Sequence, residues 1–325
     1  MIATSYTIVP LAAISQDDAR YRLDDGRSRP LDSLRLAFDR AGCLQPPVVQ
    51  LCAARYVPVI GWPSLEAARA LGWESIAVMV VAEDTAAEKV FELAVLDRLA
   101  QNRPLNPLET AVILHRLLRV FQCSREQMIE TWLPLLGFGK NPRVLEVYLP
   151  FYDLDERSRD ELAQDHLSLD FVQLLLKKNV AERHLLLDVV QTCRLGKNRQ
   201  KEFFLLLDDV SRMEQNGLAA LLQQEALQSI LRDSQITPSQ KAERFKAELW
   251  SRRYPAYTEP RQRFAQVLAE AGWPAALHVQ PAPFFNSDDL SVSFSFRSPD
   301  ECRSLIDELD RLYKSGAIAR LLEIP

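Results

Sequence analysis

The chain reads as α+β. A mixed strand-and-helix N-terminal domain comes first, then an all-helical middle, then a small α/β unit. Three observations give that class. Leu44 to Gly72 runs strand, tight turn, strand, glycine, helix. From Asn106 to about Gln235 apolar residues recur at helical spacing, punctuated by cap residues. Leu290 to Arg297 then alternates apolar and polar residues like a strand, between two helical patterns. The expected domains are residues 1–104, residues 105–197, a helical extension over 198–257, and residues 258–325.

Composition narrows the class of function. A chain of 325 residues suggests two or three domains, and 47% hydrophobic residues suffice for buried cores. The formal charge of −5 carries no global nucleic-acid signature, so any DNA-binding surface must be local. The cysteines, Cys43, Cys52, Cys123, Cys193 and Cys302, are odd in number and scattered, without a CxxC pair. They read as free thiols of a reducing cytoplasm rather than disulfides or zinc ligands. The opening MIATSYTIVPLAAIS lacks a charged leader region and reads as a first strand, not a signal peptide. No segment is a continuous apolar span, so no membrane partner is expected.

The N-terminal elements follow from local pattern. Tyr6 to Leu11 is a strand, and the polar stretch Gln16 to Pro30 is a loop. Asp32 to Ala41 is a short helix with Leu34 and Phe38 on one face, ended by Gly42. Val48 to Leu51 and Tyr56 to Ile60 are β-rich apolar runs. Gly61 permits a sharp turn, and Pro63 suits the start of a helix carrying Leu65, Ala68 and Leu71, with Gly72 as C-cap. A helix N-terminus delivered by a glycine beside a strand end is a natural anion site. Ser75 to Ala82 is a buried strand, and Thr85 with Glu88 reads as a capping box for the next helix.

Asn106-Pro107 starts a helix that runs to Phe121, and Ser124 with Gln127 caps another that runs to about Leu136. Gly137, Phe138 and Gly139 make a turn, after which Asn141 caps and Pro142 starts a helix through Leu149. Helix, glycine turn and helix together are helix-turn-helix anatomy. Ser168 to Lys178 is a further helix, and the basic run Arg194 to Lys201 breaks the pattern. Helices are expected over Asn198 to Gln215, Leu218 to Asp233 and Pro238 to Arg253, with a two-proline linker over Tyr254 to Pro260. In the last part, Arg261 to Ala271 is helical, and Leu277 to Gln280 and Leu290 to Arg297 are strands. Val292, Phe294 and Phe296 are expected to pack on Leu305, Ile306 and Leu309 of a helix running from Ser298 to Tyr313.

Few residues carry chemistry. His115, His166, His184 and His278 lie in separate segments without a Cys or Ser partner at a recognisable spacing, so they read as structural. Asp208-Asp209 and Asp288-Asp289 are adjacent carboxylates that face different ways and give no acid–base pair. Cys43 and Cys52 read as core residues. Lys140, Asn141 and Arg143 sit where a recognition helix would meet a groove. Two basic clusters offer phosphate contacts or solvated helix faces. One runs from Lys177 and Lys178 through Arg183, Arg194, Lys197, Arg199 and Lys201. The other comprises Arg244, Lys246, Arg252, Arg253, Arg261 and Arg263. Against them, Asp153, Asp155, Glu156, Asp160 and Glu161 would repel a duplex.

The stretch Tyr6 to Asn179 resembles the ParB family of bacterial partition proteins, whose N-terminal fold is shared with sulfiredoxin. Gln45, Pro46, Val48, Val49, Tyr56, Gly61, Ala67 and Ala68 fit the family's first strands and its G-E-R-R-x-R-A-A box. Leu105, Asn106, Pro107 and Glu109 fit its L-N-P-I-E motif. Ser124, Glu126, Gly139, Lys140, Val144, Tyr148, Leu149 and Leu154 fall into its helix-turn-helix frame. The resemblance implies DNA binding, which Lys140, Asn141 and Arg143 of the turn and Lys177 and Lys178 of the first basic cluster would carry. It also implies a homodimer held by the C-terminal domain and a partition ATPase as partner. In the family the box arginines hold the triphosphate of CTP, and a Glu-Asn pair serves the metal. Here Trp62, Pro63, Ser64 and Glu66 replace the charged box, and Arg98 follows Asp97 where the asparagine belongs. Gln45, Gly61, Ser64 and Asp97 remain as the residues facing a nucleotide. A cation at position 98 opposes magnesium, which takes oxygen ligands. CTP and magnesium are therefore expected to bind weakly or not at all, and no enzyme activity is implied. Two alternatives stand beside DNA binding: an interaction scaffold on the same frame, and a nucleotide switch with an altered pocket.

Overall fold

In a computed structural model, the structure describes residues 4–24, 32–281 and 289–324. The fold is α+β. It divides into two compact units, one of residues 1–187 with 196–201, the other of residues 188–195 with 202–325.

The first unit opens with a four-stranded sheet in the order β1-β4-β2-β3. β1 (Thr4–Pro10) pairs antiparallel with β4 (Ser75–Val81). β2 (Val48–Cys52) runs parallel to β4 and antiparallel to β3 (Arg55–Ile60). The β2–β3 turn is only Ala53 and Ala54, both at positive φ (45° and 66°). Two-residue hairpins favour that geometry because it follows the strand twist, but alanine adopts it at a cost.

Alternate residues of the strands feed two cores. Val49, Ile76 and Val78 pack with Phe38 of α1 (Asp32–Ala41) and with Leu65, Ala67 and Ala68 of α2 (Trp62–Ala70). Val57, Val59 and Val81 pack on the other side with Val90, Phe91 and Val95 of α3 (Ala87–Ala100). That second core continues into the helical region through Ile113, Leu114 and Leu117 of α4 (Pro107–Arg119). The capping box expected of Thr85 and Glu88 does not form. The N-cap of α3 is Ala86, without a side-chain cap, and Glu88 instead accepts from Gln127 Nε2 (2.9 Å). The long-range bond claims the carboxylate that the local motif would have used.

After α4 comes one continuous helical run. Ser124 caps α5 (Arg125–Gln127) by accepting from the Gln127 N–H at 3.1 Å. Met128–Trp132 is a π turn, and α6 (Leu133–Leu135) completes the run with Pro134 inside it. The Leu133 N–H reaches back to the Met128 carbonyl, five residues away, which widens the helix where the proline ring enters. Gly137 and Gly139 turn the chain at positive φ, and α7 (Arg143–Tyr148) follows. α7 starts one residue later than expected and tightens at its end into a 3-10 turn over Leu149–Asp153. Next come α8 (Glu156–Ala163), α9 (Leu169–Leu175), α10 (Val180–Thr192) and α11 (Lys197–Met213).

The second unit contains α12 (Leu218–Leu222), α13 (Glu225–Arg232) and α14 (Pro238–Arg253). Thr237 and Gln240 form the capping box of α14, and Phe203 stacks near Phe245 in the core. The expected linker over Tyr254 to Pro260 is instead the start of α15 (Pro255–Glu270). Pro255 takes the first turn, where its missing N–H costs nothing, and only Pro260 sits inside the helix. A hairpin of β5 (His278–Pro281) and β6 (Leu290–Ser293) precedes α16 (Pro299–Lys314) and α17 (Ala317–Leu322). Leu277, Leu305, Leu312 and Ala317 form its core, with Phe294 and Leu309 against them. β6 is shorter than expected: Phe296 and Ile306 lie about half exposed (53% and 49%) rather than in that core. Asp288 of the Asp288-Asp289 pair lies outside the described residues.

Candidate functional site

The cleft at the β3–α2 corner is built around Gly61. Its φ of +87° is open to glycine, and an added Cβ would meet Pro47 Cα at 3.0 Å. β3 thus ends against the β2 lead-in and delivers the N-terminus of α2 directly. The space left in front is a cavity of about 120 Å³, lined among others by Tyr21, Arg22, Gly61, Trp62, Asp97 and Arg98. Cofactor and drug sites usually span ~300–1,000 Å³. Of the four residues expected to face a nucleotide, Gly61 and Asp97 line this cavity, whereas Gln45 and Ser64 lie outside its lining.

Trp62 is 6% exposed and fills the corner. The Arg22 guanidinium lies 4.8 Å from its ring and pairs with Asp24 and with Glu66 (2.9 Å). Burial alone would lower the Arg22 pKa, but Asp24 and Glu66 outweigh it and raise it. Arg98 is also committed. Its Nε and Nη2 donate to the two Glu109 oxygens at 2.9 and 2.7 Å, and its remaining bonds go to the carbonyls of Arg103 (2.8 Å) and Pro104 (3.1 Å). Glu109 in turn completes the α4 capping box with Asn106. Both guanidiniums lining the cleft are thus matched by carboxylates before any ligand arrives. Among the described residues no cluster of three metal-ligating side chains occurs.

Sequence reasoning missed the loop anchor behind this cleft. Tyr21 is fully buried, and its hydroxyl donates to Gln50 Oε1 at 2.5 Å. Gln50 Nε2 then donates to the Thr85 carbonyl at 2.9 Å. Burial pushes the Tyr21 pKa up to about 12, so the phenol stays a donor. The aromatic residue in a polar loop was the available signal.

The second candidate surface is the turn before α7. Lys140 forms an ion pair with Glu130, and both side chains stay mostly exposed (60% and 59%). Asn141 Oδ1 accepts from the Arg143 N–H at 3.1 Å, which fixes the entry into α7. Arg143 is exposed at the first residue of that helix, without an acidic partner among the described residues. Lys177 is exposed and Lys178 half-buried just beyond α9. Much of the remaining basic charge is matched. Arg183 meets Asp155 (3.4 Å), Lys197 meets Asp165 (2.6 Å) and Lys201 meets Asp170 (2.7 Å). In the second unit Lys246 meets Glu202 (2.6 Å), Arg252 meets Glu248 (2.8 Å) and Arg253 meets Asp209 (3.3 Å). Three of the four histidines sit against a protein partner: His115 stacks on Tyr152 at 3.5 Å, His166 bonds Glu161 at 3.0 Å and His184 bonds Asp155 at 2.9 Å.

No family model matches the chain. Over 160 residues it is 24% identical to the probable chromosome-partitioning protein ParB of Campylobacter jejuni, a match covering 49% of this chain and 54% of that protein. The chain is a ParB relative. The match spans about half of the relative's length. Among solved structures, C-terminally truncated ParB of Caulobacter crescentus complexed with CTP-gamma-S aligns at 19% identity and a TM-score of 0.25, covering 55% of this chain and 97% of that chain. The same ParB complexed to the centromeric parS site aligns at 16% identity and a TM-score of 0.34, covering 60% and 97%. A pNOB8-like ParB N-domain aligns at 15% identity and a TM-score of 0.37, covering 76% and 97%. Among the described residues of this ParB relative no helix is long and apolar enough to cross a membrane.

Proposed function

We propose that this ParB relative is a DNA-binding protein of partition or gene regulation that works without CTP. The observation that supports it best is Arg143. It opens the second helix of a helix-glycine turn-helix segment, exposed and without an acidic partner among the described residues, where a side chain reaches a groove. Lys140 and Asn141 precede it in the turn, and Lys177 and Lys178, beyond α9, are assigned to the DNA backbone in the same proposal. A homodimer and a partition ATPase belong to the same proposal. Cross-linking and capture of bound DNA genome-wide, with and without CTP and magnesium, tests it. Enrichment at discrete sequences, equal in both conditions, is expected; uniform recovery of DNA rejects it.

One observation favours a second reading. Lys140 is paired with Glu130, and the basic clusters are largely matched by acids. An interaction scaffold on the same frame would look like this. Its signature is absence of DNA enrichment together with specific recovery of a protein partner.

A further inference from the structure

β1 is the outer strand of the four-stranded sheet, paired along its length to β4 and to no other strand among the described residues. Its far edge therefore presents backbone N–H and C=O groups without a strand partner. The register also sets a bare side-chain face. Tyr6 lies beside Met79, and Ile8 beside Ala77, on the side of the sheet that Val81 shares with α3. Yet Tyr6 is 65% exposed and Ile8 72% exposed, among the most exposed large apolar side chains described.

Natural sheets protect such edges with charge, internal proline or a bulge. β1 reads TSYTIVP: it holds no charge, its proline comes last, and its pairing with β4 has no register break. This absence of charge bears on what covers the edge. Antiparallel pairing about a two-fold axis sets every residue against a residue of the same strand, so a charged strand would tend to oppose its own copy. β1 meets no such penalty. With Thr7 on the axis, residues whose numbers sum to fourteen face each other. Tyr6 of one copy then faces Ile8 of the other, twice by symmetry. Aromatic against β-branched is a favourable cross-strand pair, and both copies of it fall on the bare face beside Met79 and Ala77.

We infer that β1 is a homotypic interface: a second copy of this chain adds its own β1 antiparallel, with Thr7 on the two-fold axis, and the two sheets become one. The pairing is independent of DNA and of the C-terminal unit.

Thr7→Cys in the full chain tests it. Directly opposed residues of an antiparallel pair have Cα atoms ~4.5–5.5 Å apart, within disulfide reach. Mild oxidation should convert most of the Thr7→Cys chain to a cross-linked dimer on non-reducing gels. The parent, with its own free cysteines, sets the background. Ser5→Cys, two residues off the axis, should stay at that background. Adding Ile8→Lys to Thr7→Cys should abolish the cross-link by setting lysines about the axis; because Ile8 is exposed, circular dichroism and melting should stay at parent values. Cross-linking of Thr7→Cys no greater than that of Ser5→Cys overturns the proposal, as does a cross-link that survives Ile8→Lys. So does dimerisation through a strand other than β1, mapped by mass spectrometry of the linked peptides.

Discussion

Arg98 and Glu109 meet through two hydrogen bonds at 2.9 and 2.7 Å, with both side chains less than a tenth exposed. The pair ties α3 to α4 across the connecting segment, whose carbonyls at Arg103 and Pro104 also bond Arg98. Breaking a buried pair from one side leaves a charge uncompensated, at about 3–5 kcal/mol. Glu109→Gln keeps an acceptor for the Asn106 N–H while removing the charge, so it isolates the electrostatic part. Urea denaturation should show a loss of that order for Glu109→Gln, and a smaller loss for the double variant Arg98→Met, Glu109→Gln. Equal losses would mean that Arg98 is stabilised by the carbonyls alone.

For DNA, the proposed roles of Arg143 and Lys140 differ in kind. An arginine on a guanine edge discriminates by about 1–3 kcal/mol, whereas a lysine on phosphate adds salt-dependent affinity. Arg143→Ala should relax sequence preference. Lys140→Ala should weaken binding to every duplex alike, and only modestly, because Lys140 must first leave Glu130. Fluorescence anisotropy on a captured site and a scrambled duplex, over several salt concentrations, separates the two.

Asp155 is the N-cap of α8, and burial works against its ionisation. The Ser158 hydroxyl, His184, the Ser158 N–H and Arg183 outweigh burial and hold its carboxyl well below the usual carboxylate range. The sign follows: a depressed folded-state pKa gives stability that is complete above the unfolded value of ~3.9 and is lost as pH falls below it. Asp155→Asn keeps the cap but not the charge. The parent should lose more stability than this variant between about pH 5 and pH 2 in matched denaturation series.

The Ala53-Ala54 turn offers a gain. Both residues sit at positive φ, which costs a non-glycine residue about 1 kcal/mol or more. Asn-Gly suits the same two-residue turn. The double substitution Ala53→Asn, Ala54→Gly should raise the melting temperature by several degrees without altering the Ala53 N–H bond to Glu83 at 2.8 Å.

Helix starts were legible where cap and capped residue are sequence neighbours and no distant group competes for them. Asn106 with Glu109, Thr237 with Gln240, and Ser298 with Glu301 all form as read. Thr85 with Glu88 failed because Gln127, 39 residues away, holds the glutamate. Non-local pairs were invisible for the same reason. Arg98 was read as a cation opposing magnesium, and only packing shows that Glu109 neutralises it. Tyr21 sat in an apparently polar loop, and its partner Gln50 is 29 residues on. The prolines of Tyr254 to Pro260 suggested a linker, but one takes the tolerated first turn, and Pro260 is carried inside α15.

The π turn at Met128–Trp132 lets the run carry one residue more than a regular helix without losing its heading. A wide turn spreads that extra residue over nearly the rotation of an α turn, so the surplus is absorbed where the Pro134 ring needs room. Gly137 and α7 therefore leave the run on the face that a regular helix one residue shorter would give them. The same wide turn holds Glu130, the partner of Lys140, so the irregularity that makes room for a proline also carries the tether on the lysine of the next turn.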